Sequence, residues 1–326
     1  MSNYSNSTSA VESTKIWTFI PSYSLAVLLA AILTNGSVLY LFLRHSHLRT
    51  AFTVYLINLL AASLLAQLIQ VPLYLVANLR PYWWIGRSAC TIYIYGFFIQ
   101  AGMCNAHALI SINRLWAVLR PISYRRLHTK RTAWIICGIM WLYIHAITLP
   151  GFIADALYYR LPEERHGCFL NKGPQPGWAY THQFMVFSLP VMLVGLAYPV
   201  ICCKTWKRSV SGRSIQPLSV RGETTEGDGM AVPVAAVHSV PSVGQSVAQR
   251  QSRSFWVLTI VTVSMLILWL PSIVFYTAMM FQDVSGWVGV SEAATVLLFL
   301  ESVTDPIMFT LALKDLRIAF VKSFVM

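Results

Sequence analysis

Two carboxyl side chains lie inside an otherwise apolar stretch near the end of the chain. Glu301 and Asp305 are four residues apart, so a helix would place both groups on one face. If this stretch crosses a lipid bilayer, a carboxyl group there is costly enough to be treated as functional by default. The pair predicts a polar centre that binds a cation or holds one protonated carboxyl. A neutral carboxylic acid that is only hydrogen-bonded within the core is the alternative.

Seven stretches of the chain are long and apolar enough to cross a bilayer as helices. About 20 apolar residues span a hydrocarbon core of about 30 Å. Six of the seven stretches contain no Asp, Glu, Lys or Arg, so they lack the polar face of a water-soluble helix. An all-α membrane protein, a seven-transmembrane helix bundle, is therefore predicted in preference to a large soluble domain or a β-barrel. The predicted spans are 21–43, 51–79, 88–113, 132–154, 183–203, 254–282 and 293–313.

The charged residues indicate how the chain is oriented in the membrane. Hydrophobic residues make up 56% of the chain and charged residues 11%, with a formal net charge of +12. Only six of the 24 Lys and Arg residues fall in the N-terminal segment and the connections after spans two and four. The other 18 lie at or near the opposite ends of the spans. Because Lys and Arg accumulate on the inner side of a membrane, those ends are expected to face the cytoplasm. We therefore expect a multi-pass plasma-membrane protein with an extracellular N-terminus and a cytoplasmic C-terminus. Its expected partner is the lipid bilayer, and no nucleic-acid partner is expected.

Three segments complete the predicted domain organisation around the bundle at 21–313. Residues 1–20 form an extracellular N-terminal segment, in which Asn3 and Asn6 fit the glycosylation pattern. Residues 204–253 lack a helical period and predict a disordered cytoplasmic loop. Residues 314–326 alternate basic and apolar side chains, which predicts a short cytoplasmic amphipathic helix and tail.

Two cysteines lie on the predicted outer side, where disulfides form. Cys90 begins span three and Cys168 precedes span five, so we expect them to be bonded to each other. Cys104 and Cys137 lie within spans and are expected to be small buried hydrophobic residues.

The order of motifs resembles the rhodopsin-like (class A) G-protein-coupled receptors. Asn113-Arg114-Leu115 is similar to the family's Asp-Arg-Tyr, and Trp269-Leu270-Pro271 to its Cys-Trp-Leu-Pro without the Cys. The resemblance covers about residues 22–323 and implies a receptor that binds an extracellular ligand and activates a heterotrimeric G protein. The remaining anchors are Asn35 with Val38, Asn58-Leu59, Trp141, Pro190 with Tyr198, and Asp305-Pro306 with Phe309.

The resemblance also assigns an activation switch, with two departures. Asn113 replaces the acidic residue that holds the neighbouring arginine in the resting state, so we expect a weakened lock and raised ligand-independent signalling. Phe309 replaces a tyrosine whose hydroxyl helps to join spans five and seven in the active state of the family. Because phenylalanine lacks this hydrogen bond, we expect it to offset part of the increase in ligand-independent signalling. The switch and coupling residues are Asn113, Arg114, Tyr198, Trp269, Pro271, Asp305, Pro306 and Phe309.

The polar centre departs from the family as well. Ser63 stands where the family has a sodium-binding Asp, and Met103 and His107 replace small polar and apolar residues in span three. We expect Glu301 and Asp305 to carry the centre that span two has lost. The candidate cation or polar centre comprises Asn35, Ser63, Glu301 and Asp305.

A ligand cavity is expected among the outer halves of spans three, five, six and seven, with Trp269 as its floor. Gly96 stands where amine receptors carry an Asp, which disfavours a protonated amine, and Phe299 stands where opsins carry their lysine, which excludes covalently bound retinal. Pro72 and the mixed-charge loop before Cys168, long enough for a hairpin, favour a peptide or another polar ligand. The candidates are Gln70, Tyr74, Tyr93, Phe97, Gln100, His182, Gln183, Tyr276 and Glu292.

The sequence contains none of the common catalytic motifs. Zinc spacings, a Gly-rich phosphate loop and a nucleophile elbow do not occur, so we predict no enzyme, no cofactor and no firm metal site. Two alternatives to a receptor remain. One is an ion or proton transporter that uses Glu301 and Asp305, and the other is a receptor-like protein that has lost G-protein coupling.

Overall fold

The described part of the chain consists of helices and their connections. The computed structural model describes residues 18–80, 82–213, 243–282 and 286–324, and no strand occurs among them. Two π-helical segments, Asp155–Tyr159 and Gln183–Ser188, interrupt the α-helices. The helices are α1 (Phe19–Arg44), α2 (Ala51–Ala77), α3 (Arg87–Leu119), α4 (Pro121–Leu127), α5 (Lys130–Ala154), α6 (Glu163–His166), α7 (Pro176–His182), α8 (Leu189–Arg213), α9 (Val243–Phe281), α10 (Val288–Ala312) and α11 (Lys314–Phe324).

Seven membrane-length helical segments form the bundle, as predicted. Six segments among the described residues are long and apolar enough to cross a membrane by themselves. The seventh is α3, which has 33 residues but carries several buried polar side chains. Because α2, α5, α8 and α9 pack around it, α3 can hold polar groups that a lipid-facing helix could not. The buried polar residues of α3 are Gln100, Asn105, His107, Ser111 and Asn113.

Some helix ends differ from the predicted spans. α8 continues to Arg213 and α9 begins at Val243, so these two helices extend into both ends of the segment 204–253. α3 likewise continues to Leu119, beyond the predicted end at residue 113. The reason is that polar residues mark the end of the hydrocarbon core, whereas Lys and Arg remain good helix formers. The middle of the loop and the glycosylation candidates Asn3 and Asn6 lie outside the described residues.

One end of the bundle is covered by a cross-linked loop. Cys90 at the start of α3 is disulfide-bonded to Cys168, as predicted, and we call this end the disulfide end. The buried Arg160 guanidinium lies 2.5 Å from the Asp155 carboxylate, which holds the same loop in place. A single turn of helix, α6, occupies the loop in place of a hairpin.

The opposite end carries clustered basic residues, and we call it the basic end. The connection from α3 through α4 to α5 carries Arg120, Arg125, Arg126, Lys130 and Arg131. The predicted short amphipathic helix is present as α11, which packs on α1 and α10. Its Leu316 and Ala319 are buried, while Ile318 and Phe324 on another face are exposed.

Close packing of α3 against α5 depends on Gly102. A Cβ atom at this position would overlap the Trp141 ring, and this ring donates a hydrogen bond of 2.9 Å to Asn58 on α2. We expect Gly102→Ala to lower the apparent melting temperature by roughly 3–9 °C, because Trp141 cannot move without breaking that bond. Gly138→Ala is the matched control, since a Cβ atom there would meet nothing within 4 Å. Equal melting curves of the two variants in detergent would contradict this account.

Candidate functional site

His107, Glu301 and Asp305 form a compact group at the centre of the bundle, which we call the buried triad. The His107 Nε2 atom is 2.9 Å from Asp305 Oδ2 and 3.1 Å from Glu301 Oε1. All three side chains are buried: His107 is 4% exposed, Glu301 1% and Asp305 2%. Two successive turns of α10 present the carboxyls, and α3 presents the imidazole between them. The predicted pairing of the two carboxyls is therefore present, with a histidine between them.

Hydrogen bonding within the buried triad is incomplete. One imidazole nitrogen carries at most one hydrogen, and Nε2 shares it with Asp305. Glu301 Oε1 is left without a hydrogen-bond partner among the described residues, while Glu301 Oε2 accepts from the Trp269 indole. Even with a protonated imidazole, two ionised carboxylates leave one net negative charge. A further proton or a cation is needed to neutralise the group in this low-dielectric interior.

α1 and α2 also carry buried polar side chains. Asn35 on α1 donates a 2.7 Å hydrogen bond to the carbonyl oxygen of Ser302, next to Glu301 in the chain. Ser63 and Gln67 on α2 are each 1% exposed, yet Ser63 Oγ and Gln67 Oε1 bond to none of the described residues. The structure therefore brings Asn35 beside α10, whereas Ser63 is buried without a hydrogen bond to the triad.

His107 is the residue that the sequence did not assign to the polar centre. Its only signal was an ionisable side chain within a predicted span, in a position where the resembled family has an apolar one. Nothing in the sequence indicated that its ring meets α10.

A line of aromatic contacts connects the buried triad with the disulfide end. Trp269 is 1% exposed and its ring centroid is 6.5 Å from that of Phe187. Phe187 contacts His182 at 5.6 Å, and His182 stacks on Trp178 at 5.1 Å. The Gln183–Ser188 π-helical segment carries Phe187 into this line. Trp269 therefore lies between Phe187 and the buried triad.

Most candidate ligand residues lie in the interior near the disulfide end. Gln70 faces Gly96, where an added Cβ would lie 2.9 Å from the Gln70 Cβ. The structure pairs Tyr93 with Phe97 (ring centroids 5.2 Å), Tyr74 with Phe299 (5.4 Å) and Gln183 with Thr277 (3.5 Å). Gln100 is buried, His182 and Tyr276 are partly buried, and Glu292 is exposed at the start of α10.

At the basic end, Arg114 is engaged by another helix. Arg114 Nη1 donates a 2.5 Å hydrogen bond to the Tyr198 hydroxyl on α8. Asn113 instead donates a 3.3 Å bond to the Tyr124 hydroxyl on α4, and its Oδ1 atom has no partner among the described residues. Phe309 is fully buried in the apolar core. Asn113 and Arg114 therefore bond to side chains on two different helices, α4 and α8.

The segment beside this switch is aromatic and carries a groove. Tyr124 stacks on His128 with ring centroids 4.4 Å apart, and burial lowers the pKa of His128, so the ring is neutral at neutral pH. A groove of about 590 Å³ adjoins α4, with Ile122 85% exposed at its edge. The groove is lined by Leu119, Arg120, Pro121, Ile122, Ser123, Arg126 and Leu127.

Comparison with known proteins agrees with this architecture. The chain is similar to the Alpha-2B adrenergic receptor of Procavia capensis habessinica (26% identity over 68% of this chain and 57% of the receptor). It is also similar to the Muscarinic acetylcholine receptor M1 of Homo sapiens (27% over 62% and 43%) and to a Melanopsin-like protein of Danio rerio (28% over 55% and 37%). The matched stretch spans about half the length of these relatives.

A family profile covers the bundle itself. The profile described as 7 transmembrane receptor (rhodopsin family) matches residues 34–309, from the middle of α1 almost to the end of α10. The match confirms the resemblance seen in the motifs, and the chain belongs to the rhodopsin family of seven-transmembrane receptors.

Proposed function

We propose that this protein binds an extracellular ligand and activates a heterotrimeric G protein at its basic end. The orientation follows from two opposed features of the bundle. The Cys90–Cys168 disulfide requires an oxidising compartment at one end, and the basic cluster around Arg125 favours the cytoplasm at the other. The groove beside α4, with its exposed Ile122 and its arginines, offers a surface for a cytoplasmic partner.

The bond between Arg114 and Tyr198 carries this proposal. It joins α3 to α8 at the basic end without a carboxylate, since Asn113 is turned towards Tyr124. A receptor exchanges between two bundle arrangements, and a ligand acts by binding one of them more tightly. Because Arg114 is not held by an acidic neighbour, the arrangement that engages a G protein is populated without ligand.

We propose a neutral polar ligand, such as a peptide, in place of a small amine. Two relatives are named as adrenergic and acetylcholine receptors, but Gly96 offers no carboxylate, and Gln70 occupies the space beside it. Phe299 is buried and carries no amine, so a covalent imine with an aldehyde such as retinal cannot form there. Glu292 carries a charge but is exposed at the start of α10. Six of the other candidates offer hydrogen bonds without a full charge: Gln70, Gln100, Gln183, Tyr74, Tyr93 and Tyr276.

Basal signalling tests the proposed function. We expect cells that express the protein to show G-protein activation above mock-transfected cells without added ligand, measured with dissociation sensors for each G-protein class. Tyr198→Phe should lower this signal several-fold, because the phenylalanine keeps the ring volume and loses the hydrogen bond to Arg114. Tyr143→Phe is the matched control, since its hydroxyl bonds to the Met185 carbonyl oxygen, away from the basic end.

Two outcomes would contradict the proposal. Signals equal to mock cells for every G-protein class, at verified surface expression, would remove the coupling claim. A Tyr143→Phe variant that falls as far as Tyr198→Phe would show that the loss does not arise at Arg114.

A further inference from the structure

We propose that the buried triad is a binding site for a divalent transition-metal ion, with Zn²⁺ as the representative. This inference rests on the donor atoms of the triad alone. It goes beyond the proposed receptor function and does not depend on G-protein coupling or on the identity of the extracellular ligand.

The donor set has the chemistry of a transition-metal site. One imidazole nitrogen and two carboxylate oxygens lie within 4.8 Å of one another. Zinc binds such donors at about 2.0–2.2 Å, so two ligands of a tetrahedral site lie roughly 3.4 Å apart. The distances of 2.9 and 3.1 Å from Nε2 need to open by only a few tenths of an ångström. Imidazole suits zinc, copper and nickel, whereas Mg²⁺ and Ca²⁺ prefer oxygen alone.

Charge balance favours a divalent ion. A neutral imidazole and two carboxylates carry two negative charges in an interior where each of these side chains is at most 4% exposed. A divalent cation neutralises them fully, whereas a monovalent ion with a neutral imidazole leaves one charge uncompensated.

The unpartnered oxygen of Glu301 is an independent indication of a ligand. Glu301 is 1% exposed, and its Oε1 atom faces the imidazole 3.1 Å away without a hydrogen-bond donor among the described residues. The Trp269 indole fixes the other oxygen of the same carboxylate. Such outer partners orient metal-binding carboxylates in known sites.

Buried polar side chains also form a stripe along α2. Ser63, Gln67, Gln70 and Tyr74 follow one another at helical spacing, and the first three are at most 2% exposed. Gln70 meets Gly96, so the antiparallel course of α2 and α3 places Ser63 level with Met103, one turn from His107. Ser63 Oγ and Gln67 Oε1 have no hydrogen-bond partner among the described residues, so both atoms are available to an ion or a water molecule.

Cobalt provides a direct optical test with the full chain. The rings of the half-buried His45 and the exposed His47 lie 5.6 Å apart and could bind the metal as a second site, so the experiment uses a His45→Gln, His47→Gln background. After EDTA treatment, the purified protein in detergent should bind one equivalent of Co²⁺ with visible absorption bands. Zn²⁺ should displace the cobalt and raise the apparent melting temperature.

Variants of the triad separate binding from misfolding. His107→Gln and Asp305→Asn should lose the cobalt bands, and Trp269→Phe should weaken the affinity about 10–100-fold. Asp305→Cys retains a ligand and should add a thiolate-to-cobalt charge-transfer band, which is a gain of signal that an unfolded variant cannot give. Each variant is compared at a temperature where circular dichroism shows it folded.

Three outcomes would overturn the inference. The first is cobalt binding that persists in His107→Gln, and the second is a folded Asp305→Cys variant without a charge-transfer band. The third is a melting temperature that rises in Na⁺ relative to K⁺ but does not rise with Zn²⁺, which would indicate a monovalent site. If metal binding is not found, the expected result of the basal signalling test does not change, so the two proposals can be rejected independently.

Discussion

Replacing His107 with leucine is expected to lower the apparent melting temperature by about 10 °C. The substitution leaves Glu301 and Asp305 one helical turn apart in the core, without the imidazole that lies between them. Removing one partner of a buried charged group costs about 3–5 kcal/mol, and each kcal/mol corresponds to roughly 2–4 °C in a protein of this size. The measurement is thermal unfolding in detergent, with EDTA present so that metal binding does not contribute.

Two further variants show whether charge is the cause. Adding Glu301→Gln and Asp305→Asn to His107→Leu should restore most of the lost stability, because no buried carboxyl then lacks a partner. His145→Leu is the matched control, since among the described residues this histidine bonds to two neutral groups, the Trp141 carbonyl oxygen and the Tyr95 hydroxyl. It should lose only a few degrees. If the triple variant melts as low as His107→Leu, packing and not charge explains the loss.

Introducing Asn113→Asp is expected to lower basal signalling about tenfold. An aspartate at this position would offer Arg114 a carboxylate within the same turn of α3, in competition with the Tyr198 hydroxyl on α8. Hydrogen bonds to charged groups contribute about 1.5–3 kcal/mol, and 1.4 kcal/mol changes an equilibrium tenfold. G-protein dissociation sensors at matched surface expression measure the change.

Asn113→Ala distinguishes the new charge from the lost amide. Both substitutions remove the hydrogen bond from Asn113 to Tyr124, but only the aspartate can attract Arg114. We expect the alanine variant to signal at least as strongly as the unmodified protein. Equal losses in both variants would mean that the contact with Tyr124, and not the missing ion pair, sets the basal level.

Length and apolarity predicted the bundle because the bilayer imposes both on any spanning helix. They do not locate the helix ends at Arg213 and Val243, since they detect the edge of the hydrocarbon and not the end of a helix. The same criterion predicted α3, although α3 carries several buried polar side chains that neighbouring helices cover. The general architecture was therefore more predictable than the helix ends.

The candidate site was predictable only where its members are close in sequence. Glu301 and Asp305 could be paired from their spacing, but the contact of His107 with Asp305 joins residues 198 positions apart. No local pattern indicates which face of α3 meets α10. The same limit applies to Arg114 and Tyr198, because the family motifs singled out both residues while their separation of 84 positions hid the direct bond.

The indole of Trp269 has two neighbours of different kinds, Phe187 on one side and the Glu301 carboxylate on the other. If an extracellular ligand moves Phe187, the position of Trp269 and its bond to Glu301 should change as well, and with them the affinity of Glu301 for a proton or an ion. By thermodynamic reciprocity, an ion bound at Glu301 would then change the affinity of the receptor for that ligand by the same factor.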